Sequence, residues 1–177
     1  LNPRINSKLI NKSYKDNKDY IFSKYNAARE KTFYNNIKKF FKYKKIKNLN
    51  NKNILDIGCG GGSFLNVIHN LGGKPYGIEP SKWMVKNIKK KNNFNVYAKT
   101  IENFNIKIKF DIISLWDVLE HLTNLNKSIS AIKKKLVREG LLIVNVPDHG
   151  SWQRKLLKFN WPFYLNVHLY YFEKETI

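Results

Sequence analysis

The chain has a single cysteine among its 177 residues, Cys59, so no disulfide can form within it. A fold held by packing, in a reducing compartment such as the cytoplasm, is expected. Its four histidines, His69, His121, His149 and His168, have no C-x-x-C or H-x-x-x-H companion, so the spacing marks no zinc site. No apolar run reaches the roughly 20 residues of a membrane helix, and no signal-peptide pattern is present. There is no G-x-S-x-G elbow, which discards a hydrolase reading of Asp148, His149 and Ser151. Acidic residues are scarce, 13 against 33 Lys and Arg, for a formal net charge of +20. Such a surplus can mark a nucleic-acid partner. Here the lysines are spread over the whole chain rather than gathered in one stripe. The dominant Lys, Asn, Ile, Tyr and Phe also share A/T-rich codons. Nonspecific attraction to polyanions in low salt follows from the charge, but no specific nucleic-acid partner is expected.

Glycine is also sparse, with nine in all, yet four of them stand between residues 58 and 62. The stretch Asn53-Ile-Leu-Asp-Ile-Gly-Cys-Gly-Gly-Gly-Ser-Phe-Leu65 reads as a buried strand, a tight turn and a helix start. Glycines there let a backbone approach a ligand without an intervening Cβ. About twenty residues further on, Pro75-Tyr-Gly-Ile78 ends in Glu79. An acid at the tip of a second strand can accept two hydrogen bonds from a ribose diol. The pair suggests a ribonucleoside-containing cofactor held across adjacent strand tips. A dinucleotide fingerprint, G-x-G-x-x-G, fits Gly58 and Gly60 but meets Ser63 at its third glycine.

The D-x-G-x-G pattern at Asp56–Gly60 resembles the first motif of the class I S-adenosylmethionine (SAM) methyltransferases. The resemblance continues in Phe110-Asp-Ile-Ile-Ser-Leu-Trp-Asp-Val-Leu-Glu-His-Leu122, similar to that family's fourth strand and exit loop. It continues again in Lys135–Pro147, similar to a helix end, glycine turn and fifth strand. His168-Leu-Tyr-Tyr-Phe-Glu-Lys-Glu-Thr-Ile177 resembles the H-L-x-x-F-x-x-x-T-L segment of a small-molecule branch, that of the ubiquinone-biosynthesis type O-methyltransferases. The match covers residues 53 to 177.

The expected fold is therefore α/β, a doubly wound, Rossmann-like and mainly parallel sheet with helices on both faces. Residues 1–17 read as a polar arm. Residues 18–45, with Ile21, Tyr25, Ala28, Ile37, Phe40 and Phe41 at near-helical spacing, read as helix packing over the glycine loop. The expected division is an N-terminal helical arm and lid over 1–50 and a SAM-binding domain over 51–177. Strands are expected at 53–57, 75–79, 95–98, 110–115 and 141–146, the last apolar enough to be central. Ser81 is expected to cap one helix. Another, carrying Leu125, Ile129, Ile132 and Leu136, should stop at Gly140. The chain begins at Leu1 and ends in a helix-like start. The reading is a fragment whose last two family strands lie beyond residue 177. The aromatics of 148–172 either wall the substrate site or cover a sheet edge or oligomer interface, and a homodimer is compatible with them.

The resemblance implies these roles. Backbone at Gly58, Cys59 and Gly60 contacts the methionine part of SAM, and Glu79, followed by Pro80, clamps the ribose. Asp56 braces the loop or reaches the cofactor amino group. Thr100 and Ile101 edge the adenine; many relatives have Asp in place of Thr100, which leaves Ile101 as the packing residue. Leu115, Trp116 and Asp117 leave strand four beside the methyl group. Arg29 either pairs with the SAM carboxylate or sits on a solvated helix face. His121, His149 and His168 fall on loops at the strands' C-terminal ends, and each is a candidate general base. The activity implied is methyl transfer to an O or C atom of a small metabolite. Alternatives are an RNA methyltransferase, although an Asn- or Asp-Pro-Pro-aromatic motif is absent after strand four, and a SAM-binding domain without turnover.

Overall fold

The computed structural model describes residues 25–177. The polar arm and Ile21 lie outside the described residues. Helix α1, Tyr25–Tyr43, comes first. Then strand and helix alternate: β1 Asn53–Ile57, α2 Ser63–Asn70, β2 Lys74–Ile78, α3 Lys82–Lys91, β3 Asn95–Tyr97, β4 Phe110–Trp116, α4 Leu125–Lys135 and β5 Leu136–Asn145. A short helix α5, Trp152–Leu157, follows. The sheet order is β3-β2-β1-β4-β5, with every pairing parallel. In this order the chain turns to opposite sides of β1, and a crevice opens above the C-terminal ends of β1 and β4.

Period-two alternation splits the strands between two faces. Leu55, Ile57, Ile113 and Leu115 point to one core, closed by Ile101, Leu119, Ile132 and Phe172. Ile54 and Ile112 point to the other, covered by Phe64 and Ile68 of α2 and by Phe33, Ile37 and Phe41 of α1. Asp56 and Ser114 share that second face by register, since Asp56 pairs with Ser114 across β1 and β4. The stripe of α1 thus runs through Phe33, which the spacing argument had not singled out. The Phe33 ring meets Phe64 at 5.5 Å and Trp116 at 4.9 Å.

Local signals account for most element ends. Ser81 caps α3 by accepting the Met84 N–H at 3.3 Å, as expected. Asn124 caps α4 in the same way through Lys127 N–H at 3.0 Å. One expectation fails at β5. Helix α4 stops at Lys135 rather than at Gly140, and Leu136 already pairs with Phe110 as a strand residue. Residues 137–140 then loop out of register, with Glu139 at φ 62°. β5 is the outermost strand among the described residues, and Leu142 on it is 40% exposed.

After β5 the chain makes an excursion over 149–171. Its neck is closed by a parallel bridge between Asp148 and Phe172 and by the His149 N–H donating to Phe172 O at 2.8 Å. Leu169 N–H and Tyr170 N–H both donate to Glu120 O, at 2.8 and 3.3 Å. The excursion is thereby tied to the turn that follows β4.

Gly77 in β2 is packed from above by the glycine loop. A Cβ there would lie 2.7 Å from Cys59 Sγ and 2.9 Å from Leu65 Cδ1. Gly77→Ala is expected to destabilise the protein by about 1–3 kcal/mol through overpacking, read as a lowered urea midpoint.

Candidate functional site: the crevice above β1 and β4

The loop after β1 is set by hydrogen bonds to β2. Gly58 N–H and Cys59 N–H both donate to Ile78 O, at 2.8 and 3.1 Å. Gly58 has φ 70°, and a Cβ there would sit 2.6 Å from Val118 Cγ2. Both the dihedral and the space therefore demand glycine. Glu79 completes the loop. One carboxylate oxygen accepts the Gly60 N–H at 3.2 Å and the other accepts the Ser81 N–H at 3.0 Å. Burial raises the Glu79 pKa, and those backbone hydrogen bonds pull against it. So the residue predicted to clamp a ribose is also the brace of the loop, with one further lone pair on each oxygen. The N–H groups of Gly58, Cys59 and Gly60 are all spent inside the protein. What Gly60 presents is room, since a Cβ there would meet nothing nearer than Gly58 O at 4.0 Å. Pro80 lies between the brace and the Ser81 cap.

Asp56 is buried and accepts the Ser114 hydroxyl at 2.7 Å. Desolvation pushes its pKa from 3.8 up to about 7, against Ser114 and the nearby positive charge of Arg29. Arg29 also lowers the pKa of Asp117, whose carboxyl is raised by desolvation. α1 thus sends a cation to the crevice between two acids, an arrangement that amphipathic spacing alone could not reveal. Asp117 leaves β4 at φ 56°, exposed at the strand tip. Leu115 is fully buried, and Trp116 stacks between Phe33 and Phe64 with its Nε1 buried and unpartnered. Ile101 is only 2% exposed, so its side chain belongs to the core beneath the crevice. Thr100 precedes it and serves Glu102. Burial raises that carboxyl, but hydrogen bonds from Ser128 and Thr100 and the charge of Lys127 hold it below its usual value.

Of the three loop histidines, the structure brings two together. The His121 and His168 rings meet edge to face at 4.7 Å. His121 Nδ1 lies 2.9 Å from Val167 O, which can only accept, so Nδ1 carries the proton and Nε2 the lone pair. Burial lowers the pKa of both imidazoles. Beneath them Glu120 is 1% exposed, with neither carboxylate oxygen hydrogen-bonded; His168 Nδ1 is likewise buried and unpartnered. Desolvation pushes Glu120 up to about 7. One ligand-capable atom from each of Glu120, His121 and His168 falls within 4.8 Å of the others. These three can share a proton or hold a cation, and only folding across the 46 residues between His121 and His168 assembles them. His149 stands apart, engaged with Glu173, Tyr164 and Arg154. His69 lies in α2 against Phe94, away from the crevice.

An open parallel sheet with a glycine loop, a buried acid at the second strand tip and an acid–imidazole cluster beside the fourth defines a nucleoside-type cofactor crevice in a doubly wound α/β protein. Residues 25–177 match the family model described as a methyltransferase domain, and the chain belongs to that family. The chain is 32% identical over 126 residues to the ubiquinone biosynthesis O-methyltransferase of Pelagibacter ubique, covering 68% of this chain and 52% of that protein. It therefore spans about half the length of the curated relatives it matches. Among solved structures it resembles a SAM-dependent methyltransferase from Clostridium acetobutylicum, with TM-score 0.61 and 20% identity over 73% of this chain and 54% of that one. It also resembles SAM-bound CalS10, an amino pentose methyltransferase from Micromonospora echinaspora, with TM-score 0.59 and 17% identity over 73% of this chain and 58% of that one. These likenesses establish the Rossmann-like class I methyltransferase fold. No helix among the described residues is long and apolar enough to cross a membrane.

Asp56 keeps its proton in the fold up to about pH 7, whereas its ordinary value is 3.8. The unfolded chain binds fewer protons between those limits, so stability falls as pH rises through that window. Asp56→Asn, which still accepts from Ser114, is expected to make the fall shallower, measured as urea midpoints at either end of the window. Glu120, Glu79 and Asp117, whose carboxyls are also raised, act in the same direction.

Proposed function

We propose that this protein transfers a methyl group from SAM to an O or C atom of a small-molecule acceptor. The observation that carries this reading is Glu79, joined to the glycine loop at Gly60 with an acceptor lone pair left on each oxygen. Those lone pairs suit a ribose diol. The open face of Gly60 admits the methionine end, and Arg29, between Asp56 and Asp117, suits its carboxylate. The buried acids of the crevice suit the ligand's ammonium and sulfonium. SAM supplies an already activated methyl group, so the protein's work is alignment and exclusion of water.

An acceptor hydroxyl must lose its proton as the methyl arrives. His121 is the base in this reading. Its Nδ1–H is held by Val167 O, its Nε2 carries the lone pair, and burial keeps the ring neutral. Glu120 and His168 lie behind it as proton partners. His149 is assigned elsewhere, because Glu173 and Arg154 occupy its two nitrogens. The same reading takes 1–50 as arm and lid and 51–177 as the cofactor domain. Its single, buried thiol supports residence in the cytoplasm. The exposed Trp152, Leu156 and Phe159 offer a face for a homodimer.

Calorimetric titration of SAM is expected to show saturable binding, weakened about tenfold, or 1.4 kcal/mol, by Glu79→Ala. A folded sample that binds no SAM would refute the reading. Once an acceptor is identified, His121→Ala is expected to lower kcat by about 10²–10⁴ while leaving SAM affinity unchanged. An unaltered kcat would remove His121 from the role of base.

A further inference from the structure

The excursion over 149–171 contains a second polar assembly that methyl transfer from SAM does not use. Arg154, partly buried in α5, donates through Nε to His149 Nε2 and to Tyr164 Oη, each at 3.2 Å. His149 Nε2 and Tyr164 Oη are themselves 3.2 Å apart, so the three groups form a triangle. On its far side, His149 Nδ1 pairs with Glu173 Oε1 at 3.2 Å. That pairing places the proton on Nδ1 and leaves Nε2 to accept from arginine. Two side chains thus hold the guanidinium by its Nε edge, and a third fixes the tautomer of one of them.

This amount of support is unusual for a solvated arginine. The ion pairs among the described residues are Lys52 with Asp111 and His149 with Glu173, and Arg154 belongs to neither. Its two terminal nitrogens make no hydrogen bond to a described residue. The helix that carries it, Trp152–Leu157, has no acid, and Lys155 and Lys158 flank it. A guanidinium fixed through Nε presents its terminal N–H groups as a planar fork, the geometry that matches carboxylate and phosphate oxygens.

The assembly is joined to the His121 side of the crevice by ring contacts. Tyr171 packs between the two histidine centres, 5.5 Å from the His149 ring and 6.2 Å from the His168 ring. His168 in turn touches His121. Trp161, buried, backs the Tyr164 ring at 5.3 Å and the His149 ring at 6.0 Å. An aromatic wall therefore runs from the methyl-transfer end to the guanidinium, three ring contacts away.

We propose that Arg154, positioned by His149, Tyr164 and Glu173, binds a carboxylate or phosphate on the methyl acceptor, making the acceptor an acidic aryl or sugar compound. This assignment rests on the methyltransferase reading for the name of the ligand, though not for the anion site itself. The atom that receives the methyl lies at the His121 end, and the acid lies at the Arg154 end.

The test uses the full chain loaded with S-adenosylhomocysteine. Matched acid and neutral pairs are titrated calorimetrically and by NMR: 4-hydroxybenzoate and its methyl ester, glucuronate and glucose, and glucose 6-phosphate and glucose. At least one acid is expected to bind about tenfold more tightly than its neutral partner. Arg154→Gln should abolish that preference, while Arg154→Lys restores it in part, since a lysine offers charge without the fork. Lys155→Gln, one residue away, should leave the preference intact. Unchanged S-adenosylhomocysteine affinity in each variant shows that the fold is retained. If no acid outbinds its neutral partner, or if Lys155→Gln removes the preference as fully as Arg154→Gln, the anion site is overturned. Loss of S-adenosylhomocysteine binding by the unmodified chain would instead overturn the methyltransferase reading, and the acid–neutral comparison on that same sample would still decide the role of Arg154.

Discussion

The Glu79 carboxylate bears the geometry of the whole crevice. It joins the end of β2 to the loop after β1 through Gly60 and to the start of α3 through Ser81. Because both bonds are to backbone N–H groups, no side-chain rotation can relax one without exposing a buried donor. The Gly58 and Cys59 N–H bonds to Ile78 O complete the anchor, and α2 follows directly, its Phe64 and Ile68 packed on Phe33, Ile37 and Phe41 of α1. The acid proposed as a ribose clamp is here also an acid that the fold itself needs. The two roles are compatible because a carboxylate oxygen accepts more than one hydrogen bond.

Charge is distributed with the opposite logic to the chain as a whole. The protein carries a net +20, yet Asp56, Glu79, Asp117 and Glu120 gather at the tips of three adjacent strands. Desolvation raises the pKa of each of them, to about 7 for Asp56 and Glu120. A positive charge brought to these strand tips would lower those values again, since it favours the ionised acid. The surface lysines, by contrast, stay in water and add little to the energetics of the site.

What the sequence made legible was local. The glycine loop could be read because strand, turn and helix follow one another within thirteen residues, Asn53 to Leu65, and the Ser81 cap because it acts three residues on. Parallel order followed from the alternation of strands and helices. The features that escaped depend on distant pairing. The stop of α4 at Lys135 is one, since it depends on Leu136 pairing with Phe110. The grouping of His121 with His168 was unreadable because 46 residues lie between them, and only the return of the excursion to Glu120 O brings them together. Thr100 and Ile101 stood at the right place in the chain but point elsewhere, one toward Glu102 and the other into the core.

The narrow neck of the excursion, where Asp148 meets Phe172, divides the chain into two parts. Everything before it builds the sheet and the cofactor end of the crevice. Everything inside it, apart from the strip near Val167–Tyr170 that fastens to Glu120 and His121, hangs from two adjacent points of attachment. A segment so attached can be lengthened, shortened or exchanged at little loop-closure cost, and the strands would not register the change. The excursion is therefore a detachable module, one whose rewriting would leave the sheet and the glycine loop as they are.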